Sequence, residues 1–440
     1  MVGFKHTICA VTLILATGMA IAQNNTNSPY SRYGFGDLPD ASFGNSKAMG
    51  GIAYGLRDGM QINAMNPASY SAIDSLTFLM SGGVTLQNAN INGGGVRKNA
   101  KNSSFDYLAM QFRLTPWMAM TVGVLPASYV GYSVSDVQTQ TLEDNTVSFG
   151  RQYAGDGGLH EVFGGLGAKV FKGLSVGMNF GYYWGDITRS KTITPSSTGA
   201  NSFAETAVTS ITDYKLDFGL QYTQKLGKKR LLTVGAVYSP QHDLSNKYSV
   251  TRQTYSASSS GGVAISSSST YTPDATFTLP HSFGVGFTYK YDNRLTIGAD
   301  YSLQRWSKAQ PRINSTEEGK EALDEDFAET YSYKDRSKVA VGAEYIPDLM
   351  GRSFFSHVKY RAGAYYSTPY YAINGKRASR EWGVTAGFGL PIPRARSIIN
   401  ISGQFARVKG LETNMLNQNI FRLSIGITFN ERWFFKRRVE

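Results

Sequence analysis

Four histidines lie well inside the chain, His160, His242, His281 and His357, and none has a second histidine four residues away or a cysteine beside it. A zinc or general-base pair needs such spacing to bring two ligands to one face. The single cysteine is Cys9, close to the start, so the rest of the chain offers no thiolate nucleophile and no disulfide. The serine-rich stretches contain no Gly-x-Ser-x-Gly elbow. Gly93-Gly94-Gly95 is followed by Val96 and Arg97, where a phosphate-binding loop would continue with Lys-Ser or Lys-Thr. Residues 315–329 (STEEGKEALDEDFAE) are acidic but lack the spaced Asp/Gly pattern of a calcium loop. No enzyme, metal or cofactor is expected.

Charged and amide side chains remain, set at alternate positions. TDYKLDFGLQYTQ (212–224) carries Lys215, Asp217 and Gln221; NRLTIGADYSLQ (293–304) carries Asp300 and Gln304; SKVAVGAEY (337–345) carries Lys338 and Glu344. Lys359, Arg361 and Arg422 follow in later segments of the same kind. Such spacing puts them on one face of a strand, opposite an apolar face. Two kinds of chemistry are open to them. They can pair with charges such as Arg32, Arg57 and Asp58 earlier in the chain, because confined charges are costly unless paired; alternatively, a lysine or arginine among them can hold a ligand carboxylate.

The elements that position these groups are strands. Near the end of the chain, FRLSIGITFNERWFFKRR (421–438) alternates from Phe421 to Phe429, with Arg422, Ser424, Gly426 and Thr428 between the apolar residues. No stretch approaches the ~20 apolar residues of a helical membrane span, apart from a shorter run at the start. The 47 glycines, 27 tyrosines and 24 phenylalanines suit a barrel better than a helical or α/β enzyme. Short links, such as those at residues 114–116, 172–173, 226–228, 291–293, 347–348 and 391–393, alternate with long polar ones near 88–102, 129–157, 189–205, 245–273, 306–328, 368–379 and 409–418. This is the pattern of an outer-membrane barrel, with short periplasmic turns and long outer loops. It predicts an all-β fold of fourteen antiparallel transmembrane strands over residues 75–435. Trp433, Phe434 and Phe435 read as an interfacial girdle, followed by a basic tail at 436–440.

Residues 1–22 combine Lys5, an apolar run and a small-x-small site at Ala20-Ile21-Ala22, as a secretory signal does. Residues 23–74 do not alternate. Gly50, Gly51 and the tripeptide Asn66-Pro67-Ala68 indicate turns and close backbone approach, while Met49, Ile52, Ile62 and Met65 argue against disorder. The segment reads as a plug in the lumen, with a periplasmic leader as the alternative. The net charge of +12 suits anionic lipid headgroups, and no basic run with interleaved aromatics points to nucleic acid.

Several stretches, in order, resemble the FadL/TodX-type outer-membrane transporters of hydrophobic compounds, in a Bacteroidota-like version. MGGIAYGLRDGMQINAMNPASYS (49–71) is similar to that family's plug, and WMAMTVGVLPAS (117–128) to its third strand. LPHSFGVGFTYKYDNRLTIGADYSLQRWSK (279–308) and YRAGAYYSTPYY (360–371) look like its later strands. The resemblance implies an N-terminal hatch that includes Asn66, Pro67 and Ala68. It implies passive uptake of long-chain fatty acids or other hydrophobic compounds, by lumen binding, plug movement and lateral exit. SPYSRYGFGDL (28–38) departs from those transporters. Related barrels serve as subunits of secretion and outer-membrane assembly machines, so a non-transporting scaffold with protein partners is the alternative.

Overall fold

In a computed structural model the described residues are 26–75, 77–142, 145–197, 200–257, 263–314, 331–393, 396–411 and 415–432. The expected signal sequence (1–22), the acidic stretch 315–329, the expected aromatic girdle at 433–435 and the basic tail at 436–440 lie outside them.

Eighteen strand segments form one closed antiparallel sheet of fourteen strands. The ring closes where the first strand, Thr77–Gly93, pairs with the last, Asn417–Arg432. Where the ring closes, backbone donors and acceptors pair across the wall and need no water. Ten strands are continuous. Four are broken: the third (Met118–Pro126, then Val130–Leu142), the fourth (Asn145–Gly157, His160–Phe171), the seventh (Arg230–Ser239, Asn246–Ala257) and the eighth (Val263–Tyr271, Ser282–Tyr291).

The alternation in the sequence sets which face is which. On the last strand Phe421 and Ile425 are exposed while Gly426 and Thr428 are buried. Exposed Val162, Leu166, Met178, Phe180, Leu220, Phe283, Val285, Phe388 and Phe405 continue the outer apolar band around the wall.

The long connections differ from the sequence reading. Residues 88–102 are not a loop: the first two strands stay paired up to Gly93↔Val96, and Gly94 and Gly95, at φ 56° and 78°, make the turn. That left-handed conformation is what favours glycine there. Residues 129–157 and 245–273 likewise hold paired strands. The sixth strand, Ser202–Lys225, runs for 24 residues, roughly 80 Å of extended chain against an apolar band ~25 Å tall. Polar side chains do not shorten a strand that stands in water, so polarity alone misplaces these ends. At the opposite rim, the link expected at Pro347-Asp348 is longer, spanning residues 346–358 with the short helix Phe354–His357.

Candidate functional site

Residues 26–75 form three short helical turns, Pro29–Arg32, Gly44–Ala48 and Pro67–Ala72, joined by irregular chain. Their side chains and backbone meet the inward faces of the strands. The last turn starts with a local signal legible in sequence: the Asn66 side chain accepts a hydrogen bond from Ala68 N at 3.2 Å, and Pro67 occupies the first position, where no N–H is needed.

Glycines on the wall admit this segment. A Cβ at Gly167, Gly177, Gly219, Gly235, Gly342 or Gly363 would fall within 3.0 Å of the segment's backbone or of Asn66, and one at Gly298 or Gly387 equally close to Ile52 or Ala48. These glycines belong to the fourth, fifth, sixth, seventh, tenth, eleventh, ninth and twelfth strands. A missing side chain on each lets two backbones touch.

Polar contacts fix the register of segment against wall. Asp300 accepts hydrogen bonds from Ala53 N (2.5 Å) and Tyr54 N (2.8 Å). Gln221 donates to Tyr54 O and Leu56 O and accepts from Arg57 at 3.1 Å. Asn66 donates to Leu220 O, Asn179 donates to Ala64 O, and Gln111 donates to Tyr70 O. Thr385 accepts from Gly50 N at 2.8 Å. Lys338 holds Asp40 at 2.6 Å, Lys359 stands 3.8 Å from Asp58, and Lys47 is 2.7 Å from Asp106. Burial pushes the Asp40 and Asp58 carboxyls up, but Lys338 beside the first and Lys359 beside the second bring both below the ordinary carboxylate range. Asp37 makes no ion pair among the described residues, and burial pushes it up to about 6.

The other expected residues pair within the wall. Lys215 lies 3.0 Å from Asp217 and 4.0 Å from Glu161; Arg361 binds Glu344 at 2.7 Å and Asn400 at 2.6 Å; Arg422 donates to Gln87 at 2.7 Å. Arg32 is apart from them, stacked 4.3 Å above the Tyr153 ring near the long-hairpin end. Gly51 follows Gly50 in the turn after the second helix, both with positive φ. Asn179, Gln111, Thr385, Asp40 and Glu161 escaped the sequence reading. For those on strands, the two-residue parity that found Lys215 was a usable signal.

At the long-hairpin end, the sequence SPYSRYGFGDL builds an aromatic cluster. Tyr33 stacks on Tyr371 at 5.0 Å, Phe35 packs against Trp306 at 5.6 Å, and Trp306 lies 4.7 Å from Tyr370. Below it are two cavities of about 220 and 240 Å³. Residues 38–41 line both, with Asp40, Arg336 and Lys338 at their shared wall. Asp37, Lys47, Asp106, Glu381 and Arg422 line the first, and Glu161, Lys215, Asp217 and Asp300 the second.

One part of the wall is unpaired. Residues 108–115 of the second strand (Val96–Thr115) pair with the third strand, but among the described residues 96–107 have no strand on that side. The upper piece of the third strand pairs only with the fourth. Across this seam the Tyr129 hydroxyl donates to Phe105 O at 3.0 Å, and Asp37 bridges Tyr129 from within. Among the described residues no cluster of His, Cys, Asp and Glu could hold a metal.

A family model described as BamG matches residues 4–440. No curated protein matches the sequence. Among solved structures, the toluene transporter TodX of P. putida is similar over 90% of this chain and 100% of its own, at 17% identity and TM-score 0.56. The Ralstonia pickettii toluene transporter TbuX covers 89% and 98%, at 17% identity and TM-score 0.54, and a Pseudomonas aeruginosa FadL homologue 88% and 97%, at 14% identity and TM-score 0.56. At these identities the likeness is one of fold.

Proposed function

The chain belongs to the BamG family, and from that premise we propose that it is a non-transporting barrel subunit of an outer-membrane machine that assembles or secretes proteins. The observation that carries this reading is the filled lumen. The N-terminal segment acts as a fixed plug, in backbone contact with wall glycines on successive strands and tied to them by Asp300, Gln221, Lys338 and Thr385. Both cavities beside it are lined by several charged groups. A hydrophobic molecule would have to displace the aromatic cluster and then desolvate those charges. Extended hairpins on the third to eighth strands instead offer a large outer surface to a protein partner.

A second reading has its own support. Passive uptake of long-chain fatty acids or other hydrophobic compounds needs a route through the wall, and the seam between the second and third strands lies beside the first cavity, at Ser104, Asp106 and Tyr129. In that reading movement of the plug around Asn66, Pro67 and Ala68 opens the path, and transport by TodX-like barrels is the analogue.

Gentle detergent extraction, followed by mass spectrometry of everything retained and titration with a fluorescent fatty acid, separates the two. The scaffold reading expects stoichiometric protein partners and no saturable probe binding. Saturable binding with no partner would replace it with uptake.

A further inference from the structure

We propose that the outer face of the last three and first two strands is a binding site for a phosphorylated glycolipid of the outer leaflet. The register sets outward residues in rows. Val384, Phe405, Phe421, Asn88 and Lys101 pair in sequence across the twelfth (Ser379–Pro391), thirteenth (Ile398–Gly410), fourteenth, first and second strands. Two residues higher, the row reads Trp382, Arg407, Asn419, Asn90, Asn99. Higher again, Arg380 pairs with Lys409, and Asn92 with Asn417 and Arg97.

Apolar side chains therefore give way to amides and cations within two rows, a rise of roughly 14 Å. Val384, Phe405 and Phe421, with Leu86 beneath, present the surface an acyl chain covers, and each is exposed. Trp382 sits where an interfacial aromatic belongs. Arg407 is exposed in the same row and Arg97, Arg380 and Lys409 one row above it, with Lys101 exposed one row below, and no carboxylate shares these rows. Among the described residues Arg97, Arg380, Arg407 and Lys409 make no ion pair. Asn99 is held by Asn88 at 2.6 Å and Asn90 at 2.8 Å, a fixed amide floor between the two cationic flanks.

The chemistry that fits is a phosphate monoester on a polar sugar, carried on acyl chains. Arginine meets phosphate with two parallel hydrogen bonds, asparagine meets sugar hydroxyls, and the apolar row holds the chains. The height of the stripe, at the upper boundary of the apolar band, selects a membrane lipid over a soluble phosphate. This inference rests on the long hairpins facing the cell surface, and is independent of whether the barrel transports anything.

The test compares wild type with the Arg97→Gln, Arg380→Gln, Arg407→Gln, Lys409→Gln variant, with Lys247→Gln as a control for charge loss on another wall. Heat-modifiable migration verifies that each barrel is folded. After detergent exchange, phosphorylated lipid A, the same lipid enzymatically dephosphorylated, a glycerophospholipid and glucose 1-phosphate are added in turn, and bound lipid is counted by native mass spectrometry. Expected is retention of phosphorylated lipid A by wild type and the control, at least about tenfold above the dephosphorylated form and above the quadruple variant, with no retention of glucose 1-phosphate. Equal retention by all folded forms overturns the site. Preference for the glycerophospholipid, lost in the quadruple variant, also overturns it, and shows that the stripe faces the inner leaflet and the assumed orientation is reversed.

Discussion

Gly363→Ala should detach the plug from the wall without opening the barrel. Gly363 faces inward on the eleventh strand, Lys359–Ser367, where an added methyl would come within 3.0 Å of Gly50 N and Met49 C. Both neighbours are backbone atoms, so no flexible side chain can swing away. Gly50 has φ 70° and its N–H is bound to Thr385, which leaves the plug chain little freedom to shift. Overpacking of this kind costs about 1–3 kcal/mol. The strand keeps its ladder to both neighbours, so the cost falls on plug attachment, raising the local opening equilibrium roughly 5- to 150-fold.

The natural absence of cysteine beyond Cys9 makes the assay direct. Ala48→Cys places a reporter at a residue 1% exposed, and maleimide labelling in detergent reports opening. Gly403→Ala is the matched control, because a Cβ there meets nothing within 4 Å. Labelling should accelerate in Gly363→Ala and not in Gly403→Ala. Equal rates in the two, with both barrels heat-modifiable, would refute the reasoning that glycines seat the plug.

Asn66→Ala with Pro67→Gly removes the cap of the third turn, worth about 1 kcal/mol, and should speed amide exchange in residues 64–72 while barrel strands keep wild-type protection. Lys338→Met should weaken plug attachment by about 1.5–3 kcal/mol, and Asp40→Asn should add little to it in a double-mutant cycle, since each removes the same contact. Acid should act in two stages. Protonating Asp37 as pH falls through about 6 relieves a buried charge and favours attachment, whereas Asp40 and Asp58, depressed below the ordinary carboxylate value, support the plug at higher pH and lose that support only below pH about 4. Divided at each pH by the rate of a free thiol under the same conditions, which removes the loss of thiolate, Ala48→Cys labelling should therefore be no faster at pH 5 than at pH 7 and should rise only below pH 4; a normalised rise between 7 and 5 contradicts the assignment.

The wall was legible because a strand repeats every two residues: the parity that put Phe421 outside and Arg422 inside also placed Lys215, Asp300 and Lys338 on the lumen side. Strand ends were not legible. Residues 96–103 are polar because they stand above the apolar band, and polarity in a rising strand reads the same as polarity in a loop. Pairing partners were also hidden, since the contact of Asp40 with Lys338 or of Pro67 with Gly177 joins residues far apart in the chain, and periodicity within one strand carries no information about what lies opposite. The aromatic cluster illustrates this. SPYSRYGFGDL announced itself only as a departure from transporters, and its role depends on Trp306, Tyr370 and Tyr371 arriving from the connections that follow two later barrel strands.

We propose that this barrel serves an assembly or secretion machine through its surfaces and not through its lumen. Controlled depletion tests it most directly: the folded fraction of other outer-membrane barrels, read by heat-modifiable migration, and secreted protein are followed alongside uptake of a labelled long-chain fatty acid. The account predicts that folded barrels or secreted protein fall as the chain is lost, while fatty acid uptake per cell stays at its starting level. Loss of uptake with assembly and secretion intact would contradict it.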